Sequence, residues 1–418
     1  MIARILELAA PRAAAADVRT TDDQTLVLTL TDDAVTSAAS LSEHGVSVRV
    51  VNDGRVGRVG TTDQDIESLV DRALASAAAS DPSPMLLPGP SPLPPVATHD
   101  TEAAALDLET LADLGWRLSG RLRRDGRRVL VHLERSVGRV HIANTRGVDA
   151  GYDASLVAME LTVLRTADGV VATRQFSSVS VPDDAALAEL AADIERQLEW
   201  AHSGAMAPSA PGPVLLMPAA VRGLLVPVLD ALAWRGEPPA VRLHPSITLR
   251  DDPWLELRPG SRAIDDDGVT TWPQTLIEEG VLGHGAVDLE SGAAMQRPAT
   301  GHCRRTTFGR PHAGFSNLLL ASGEASLAEL IGALADGLLV ERLAGTWGIG
   351  RAGALHLPVA LGYRVRGGEV QGRIEGAVLA GNAFDALSRV SAVCQDRTWV
   401  GSAFLPALLV EGLSVAGD

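Results

Sequence analysis

The chain has 418 residues, with 36 basic and 52 acidic side chains for a formal net charge of −16; 46% of residues are hydrophobic and 21% charged. That is a globular composition with ample core material, and the length suits two or three domains. All the basic residues are arginine. The acidic balance excludes a protein that grips a phosphate backbone, so no nucleic-acid partner is expected. Two cysteines, Cys303 and Cys394, exclude a disulfide framework or a cysteine-rich zinc fold.

In chain order, residues 2–16 have a helical pattern, and Thr25–Leu30 alternates as a strand should. Gly45–Val51 is a second strand, and Asn52-Asp53-Gly54 is a strong hairpin-turn signal before a return strand at Arg55–Gly60. A helix follows in which Ile66, Leu69, Val70, Ala73, Leu74 and Ala77 recur at helical spacing. Residues 81–98 hold seven prolines, which excludes helix and central strand and predicts a stiff, extended surface connector. Beyond it the pattern predicts a helix over 101–125, then strands at 128–135, 138–144 and 155–164, and a helix over 183–201. The low-complexity stretch 203–213 is the candidate domain boundary, dividing residues 1–208 from 209–418. The second half is rich in short strands and glycine turns, with helices expected at 219–233 and 326–336 and strands at 355–365, 369–379 and 407–415.

Glu7 interrupts any amino-terminal signal sequence. The most apolar stretch, Val214–Trp234, is broken by Pro218, Arg222, Pro227 and Asp230, so no membrane span is expected. A soluble, cytoplasmic protein is the expectation.

Chemistry-bearing motifs are sparse. There is no Gly-x-Ser-x-Gly elbow and no phosphate loop ending in Lys-Ser/Thr. Gly345-Thr346-Trp347-Gly348-Ile349-Gly350 imitates a dinucleotide fingerprint, but an apolar strand pattern follows it where a helix is required. No His-Glu-x-x-His exists, and adjacent ligands such as His302 and Cys303 would point apart on a strand. Asp265-Asp266-Asp267-Gly268 suits a hard cation by donor type, yet lacks the further ligands of a calcium loop. A turn held by Asp side chains on backbone amides is the preferred reading.

Taken in order, several segments resemble the TldD/PmbA family, whose members have been called modulators of DNA gyrase. They are Gly45–Val50 with Asp53–Gly57, Asn144-Thr145-Arg146-Gly147, Asp265–Thr270, Leu276–Leu282, Ser316-Asn317-Leu318, Gly323–Ile331, Ala380-Gly381-Asn382 and Leu409–Gly417. The resemblance spans nearly the whole chain. It implies an α+β fold: an N-terminal α/β domain, then a C-terminal domain dominated by curved antiparallel β-sheet. The strand-rich pattern of the second half points the same way.

One branch of the family carries His-Glu-x-x-x-His on a central helix, with a late cysteine as third zinc ligand. The matching helix here begins after Val214–Pro218, and residues 226–231 read Val, Pro, Val, Leu, Asp and Ala. Those side chains cannot supply the three ligands and the base of a catalytic zinc site. By resemblance the chain is therefore a TldE/PmbA-type subunit with no catalytic or metal-binding residue of its own. It is expected to form a heterodimer with a TldD-type subunit that holds the zinc and processes or degrades unfolded peptides. Two other readings stay open: a pair that tailors a secondary metabolite or ribosomal peptide without proteolysis, and a homodimeric binding protein. His302, Arg304, Asn317 and Asn382 lie in family-like loops and are the candidates to face a substrate cavity or the partner, each equally suited to satisfying backbone groups.

Overall fold

The structure is a computed structural model that describes every residue except 64–65, 209–211, 235, 237, 346–351 and 417–418. The first half holds α1 (Ile2–Ala9), β1 (Ala15–Thr31), β2 (Ala34–Asn52), β3 (Arg55–Thr61), α2 (Glu67–Ala78), α3 (Thr101–Ala105) and α4 (Leu108–Leu122). It continues with β4 (Arg127–Asn144), β5 (Asp149–Arg165), β6 (Val170–Ser178) and α5 (Asp184–Trp200). The six strands form one antiparallel sheet in the order β3-β2-β1-β4-β5-β6.

Most predicted elements are present, and the departures have physical causes. The first helix stops at Ala9 because Pro11 follows it and Ala15 onward is drawn into β1, pairing from Ala15↔Val51. The two strands predicted at 128–135 and 138–144 are one, because Ser136, Val137 and Gly138 pair unbroken with Thr25, Gln24 and Asp23. The hairpin at Asp53-Gly54 has φ of 49° and 68°, the positive pair that a two-residue turn needs. The proline-rich connector forms no strand or helix beyond a single bridge at Pro82, but it is more than a surface crossing. Met85 and Leu87 are buried against Val51 and Val56.

The second half contains β7 (Gly204–Ala205), β8 (Val214–Leu216), α6 (Pro218–Leu232), β9 (Leu249–Asp251), β10 (Gln274–Glu278), β11 (Val281–Leu282) and α7 (Leu289–Met295). There follow β12 (Cys303–Arg304), β13 (His312–Ala313), β14 (Leu318–Leu320), α8 (Leu327–Gly332), β15 (Asp336–Leu343), β16 (Ala354–Arg366) and β17 (Glu369–Ile374). The chain ends with β18 (Val378–Asn382), α9 (Ala383–Ser388), β19 (Val390–Val400), β20 (Ala403–Val410) and β21 (Ser414–Ala416). Among the described residues, all of these strands except the β12–β13 pair join one curled, mostly antiparallel sheet; β8–β15, β14–β20 and β7–β17 pair in parallel. The fold is α+β. No helix among the described residues is long and apolar enough to cross a membrane.

Layering places the interior. One face of the first sheet packs on α1 and α2 through Val46, Val48, Val50, Ile5 and Leu69. Further along the same sheet, α4 and α5 are clamped between it and the second sheet: Leu118 and Ile194 share a core with Leu133 on one side and with Leu339 and Tyr363 on the other. Strand β8 lies at the centre and is buried on both faces. Leu215 joins the α4/α5 core, and Val214 and Leu216 join the core around α6. A strand covered on both sides reads as a continuous apolar run, as Val214-Leu215-Leu216 does.

Candidate functional site

Two polar regions lie inside this framework. The first is a buried ionic network between the first sheet and loops of the second half. Asp17 and Arg49 are register partners on β1 and β2, as are Arg19 and Ser47, so all four side chains leave the sheet on the face away from α1 and α2. Arg49 Nε donates to Asp17 at 2.6 Å, and Arg305 Nη1 donates to Asp17 at 2.5 Å. Arg49 Nη1 also sits 2.8 Å from Asp267, while Arg19 Nε and the Arg305 backbone N–H both donate to Asp266. Burial works against ionised Asp17, but Arg305 and Arg49 hold its carboxyl below the usual range.

The triple-aspartate segment is a latch. Asp265 accepts from the backbone N–H groups of Asp267 and Val269 and from Cys303 N–H, each at 2.9 Å. Asp267 accepts from Leu289 N–H at 2.9 Å, and Gly268 closes the turn at a φ of 83°. Burial and the adjacent Asp267 push Asp265 up to about 7, against Arg262 and its backbone donors. Burial, and then the neighbouring Asp267, Asp265 and Asp266, raise the Cys303 thiol well above the ordinary range.

Three of the four sequence candidates adjoin this network. His302 is 2% exposed, with Nε2 3.1 Å from Asp251 and Nδ1 2.9 Å from the Thr300 hydroxyl, and its ring meets Phe315 edge-on. Arg304 donates to the Phe315 carbonyl at 3.0 Å; burial and the neighbouring Arg262 push it down to about 10. Asn317 has no exposed surface, accepts from Gly260 N–H, and donates to the Asp252 carbonyl and Ser261 hydroxyl. The structure thus gathers His302, Arg304 and Asn317 around the segment 315–317. Asn382 is elsewhere: its side chain caps α9 by accepting from Phe384 and Asp385 N–H and donates to the Ala352 carbonyl. The dinucleotide-like glycine pattern runs over 345–350, and only Gly345 of it is among the described residues.

The second region is a cavity of about 250 Å³ between β6, α5, the first turn of α6, β15 and β19. Asp193 of α5 is fully engaged there, by Arg174 at 2.9 Å and Arg196 at 2.8 Å. Glu341 is 8% exposed, and one oxygen touches Arg196 and Gln197 only at 3.5 Å. Its other oxygen, Oε2, has no hydrogen-bond partner among the described residues. Burial holds this carboxyl above the usual range. Cys394 lies in the wall, its thiol raised by burial.

Sequence reasoning reached Cys394 and α6 but missed Glu341, Arg342, Asp193 and Arg196. A signal existed: Glu341-Arg342 interrupts the apolar run Leu338-Leu339-Val340 of a strand that packs on both faces.

The donor set of α6 does not fit zinc. Val228 and Leu229 are buried in the apolar core, Pro227 is buried with them, and Asp230 is exposed. Among the described residues no group of three or more His, Cys, Asp or Glu side chains is placed to hold a metal ion.

Comparison with known proteins follows the same outline. Residues 16–77 match the PmbA/TldA metallopeptidase domain 1 family and residues 239–417 the PmbA/TldA metallopeptidase C-terminal domain family, together more than half of the chain. Among curated relatives, a Metalloprotease TldD homolog of Haemophilus influenzae is 26% identical over 150 residues, 36% of this chain and 31% of that protein. Metalloprotease PmbA of Escherichia coli O157:H7 is 25% identical over 171 residues, 40% of this chain and 36% of that protein. The chain spans about a third of the length of the curated relatives it matches. The crystal structure of TldE from Thermococcus kodakarensis superposes with a TM-score of 0.87 at 19% identity, covering 99% of both chains. A putative modulator of a DNA gyrase from Thermotoga maritima gives 0.86 at 20% identity, again covering 99% of both.

Proposed function

The chain belongs to the TldD/PmbA family of metallopeptidase-like proteins, and from that premise we propose that it is a TldE/PmbA-type subunit without a catalytic centre of its own. It pairs with a TldD-type subunit that carries the zinc, and the pair processes or degrades unfolded peptides. The carrying observation is the filling of α6. Where the resemblance expects His-Glu-x-x-x-His, this helix presents Val226, Pro227, Val228, Leu229, Asp230 and Ala231, and buries most of them. Apolar core side chains offer a metal ion no donor atoms.

The chain's contribution to such a pair is structural surface. Strand β3 pairs only with Val46–Asn52, so among the described residues the outer edge of β2 from Ala34 to Glu43 is open, while Gly45 packs against Thr307. Residues 34–43 there are all exposed, and only Glu43 is charged. An unblocked edge of this kind accepts an extended chain by backbone pairing, which suits a wall along which a peptide or partner strand lies.

The experiment is to purify the chain alone and co-expressed with a TldD-type chain bearing His-Glu-x-x-x-His. Alone it should contain no stoichiometric zinc and cleave no unfolded peptide. Together they should co-elute, with one zinc per pair and chelator-sensitive cleavage. One zinc per isolated chain, or cleavage by it, would overturn the reading. Co-elution with zinc but modification of a peptide without cleavage would favour the tailoring role.

A further inference from the structure

The cavity at β15 holds a pair of neighbouring opposite charges whose polar atoms the fold only partly satisfies. On β15, Val340 pairs with Gly362 and Arg342 with Leu361, so Glu341 is the extra residue of a bulge. A bulge breaks strict alternation and re-aims a side chain. Here neighbouring residues of opposite charge both line the same cavity. Glu341, 8% exposed, meets Arg196 and Gln197 through one oxygen at 3.5 Å and leaves Oε2 without a partner among the described residues. Arg342 makes no hydrogen bond or ion pair with any described residue, and burial lowers its affinity for the proton.

The first turn of α6 opens onto the same space. Met217, Pro218 and Ala219 line the cavity, and the Met217 N-cap makes no side-chain capping bond. Met217 N–H donates to the Val340 carbonyl and Pro218 has no N–H, so of these three residues only Ala219 brings an uncapped first-turn amide to the cavity, at the positive end of the helix dipole.

We propose that this cavity binds a compact zwitterion, a free α-amino acid or a dipeptide, with its ammonium on Glu341 and its carboxylate on Arg342 and the first turn of α6. A simple anion would meet the free Glu341 oxygen. A simple cation would meet Arg342, Arg196 and the helix dipole. Glu189 and Asp396 also line the cavity, but Asp193 is occupied by two arginines and no three of the described carboxylates converge to hold a metal ion. Met217, Leu327, Val400 and Ala407 give the remaining wall an apolar lining for a side chain. The volume of about 250 Å³ falls just under the range of roughly 300–1,000 Å³ for drug-sized ligands, so the occupant is small. The site is complete within one chain, so its fate is separate from that of the subunit reading.

Calorimetric titration of the isolated full chain tests it with L-leucine, Gly-Leu, N-acetyl-L-leucine and L-leucinamide. L-leucine or Gly-Leu should bind, and blocking either terminus of L-leucine should weaken binding by about tenfold or more, the worth of one charged hydrogen bond. Glu341→Gln should weaken L-leucine but leave N-acetyl-L-leucine unchanged; Arg342→Gln should weaken L-leucine but leave L-leucinamide unchanged. If neither zwitterion binds the unmodified chain at millimolar concentration, or the blocked analogues bind as well as L-leucine, the proposal fails. The analogue series on the unmodified protein decides even if a variant does not fold.

Discussion

At the scale of single residues, the informative side chains are the charged ones the fold has buried. Glu341 and Asp17 are opposite cases. Asp17 is compensated by two arginines and contributes stability above about pH 3.8, the unfolded carboxylate value, which is lost as pH falls through its lower folded value. Replacing Arg305 by Ala should cost about 3–5 kcal/mol in denaturant melts, because it removes a partner from a buried carboxylate. An effect below ~1 kcal/mol would mean that Arg49 alone neutralises Asp17. Glu341 is held above its ordinary 4.5, so its favourable contribution is complete below that value and fades as pH rises through the folded one. Glu341→Gln should therefore raise the melting temperature more at pH 8 than at pH 5. A larger gain at pH 5 would show that the carboxylate is stabilised in the fold, contrary to its unpartnered oxygen. The break that Glu341-Arg342 makes in an apolar strand was visible in the sequence, but the partners of Asp17 and Glu341 were not, because they come from strands and loops distant in sequence.

At the scale of elements, local rules were readable wherever the local sequence decides. Asn52-Asp53-Gly54 gave its turn, and the helix expected at 219–233 is α6, with Pro218 at its first position. Tertiary pairing overrode local preference elsewhere. The alanine run 13–16 favours helix, yet Ala15 and Ala16 are held in β1 by β2. The strand expected over 369–379 is two, β17 and β18, because Gly376 turns with a φ of 65°. Asn382 shows how a family-like loop residue can carry an element rather than a site. Its Ala substitution should cost about 1 kcal/mol, the worth of an N-cap, while leaving partner binding intact. Loss of complex formation by a fully folded Asn382→Ala chain would place that residue at an interface instead.

At the scale of the molecule, the two sheets share cores across the boundary expected near residue 208, and β7 (Gly204–Ala205), before it, already pairs with β17 of the second sheet. Helices α4 and α5 belong to the first segment, yet Tyr363 of β16 donates to the Gln197 carbonyl of α5, and Leu339 and Leu361 pack into the same cluster as Leu187 and Ile194. The ionic network repeats the connection on the other face, through Arg305 to Asp17 and Ser47. Cutting the chain at 208 would expose the apolar flank of α5 and leave Asp17 short of one arginine. Shared burial of this kind makes unfolding cooperative across the boundary. The full chain should therefore melt in one transition by both calorimetry and tryptophan fluorescence, and residues 1–208 expressed alone should aggregate or bind a hydrophobic dye. A soluble, sharply melting 1–208 fragment, together with two separated transitions in the full chain, would show that each sheet carries a sufficient core by itself. The same coupling bears on the cavity. Its walls come from α5 and β6 on one side of the boundary and from α6, β15 and β19 on the other. A ligand held there should raise the single melting temperature of the whole chain rather than that of one half.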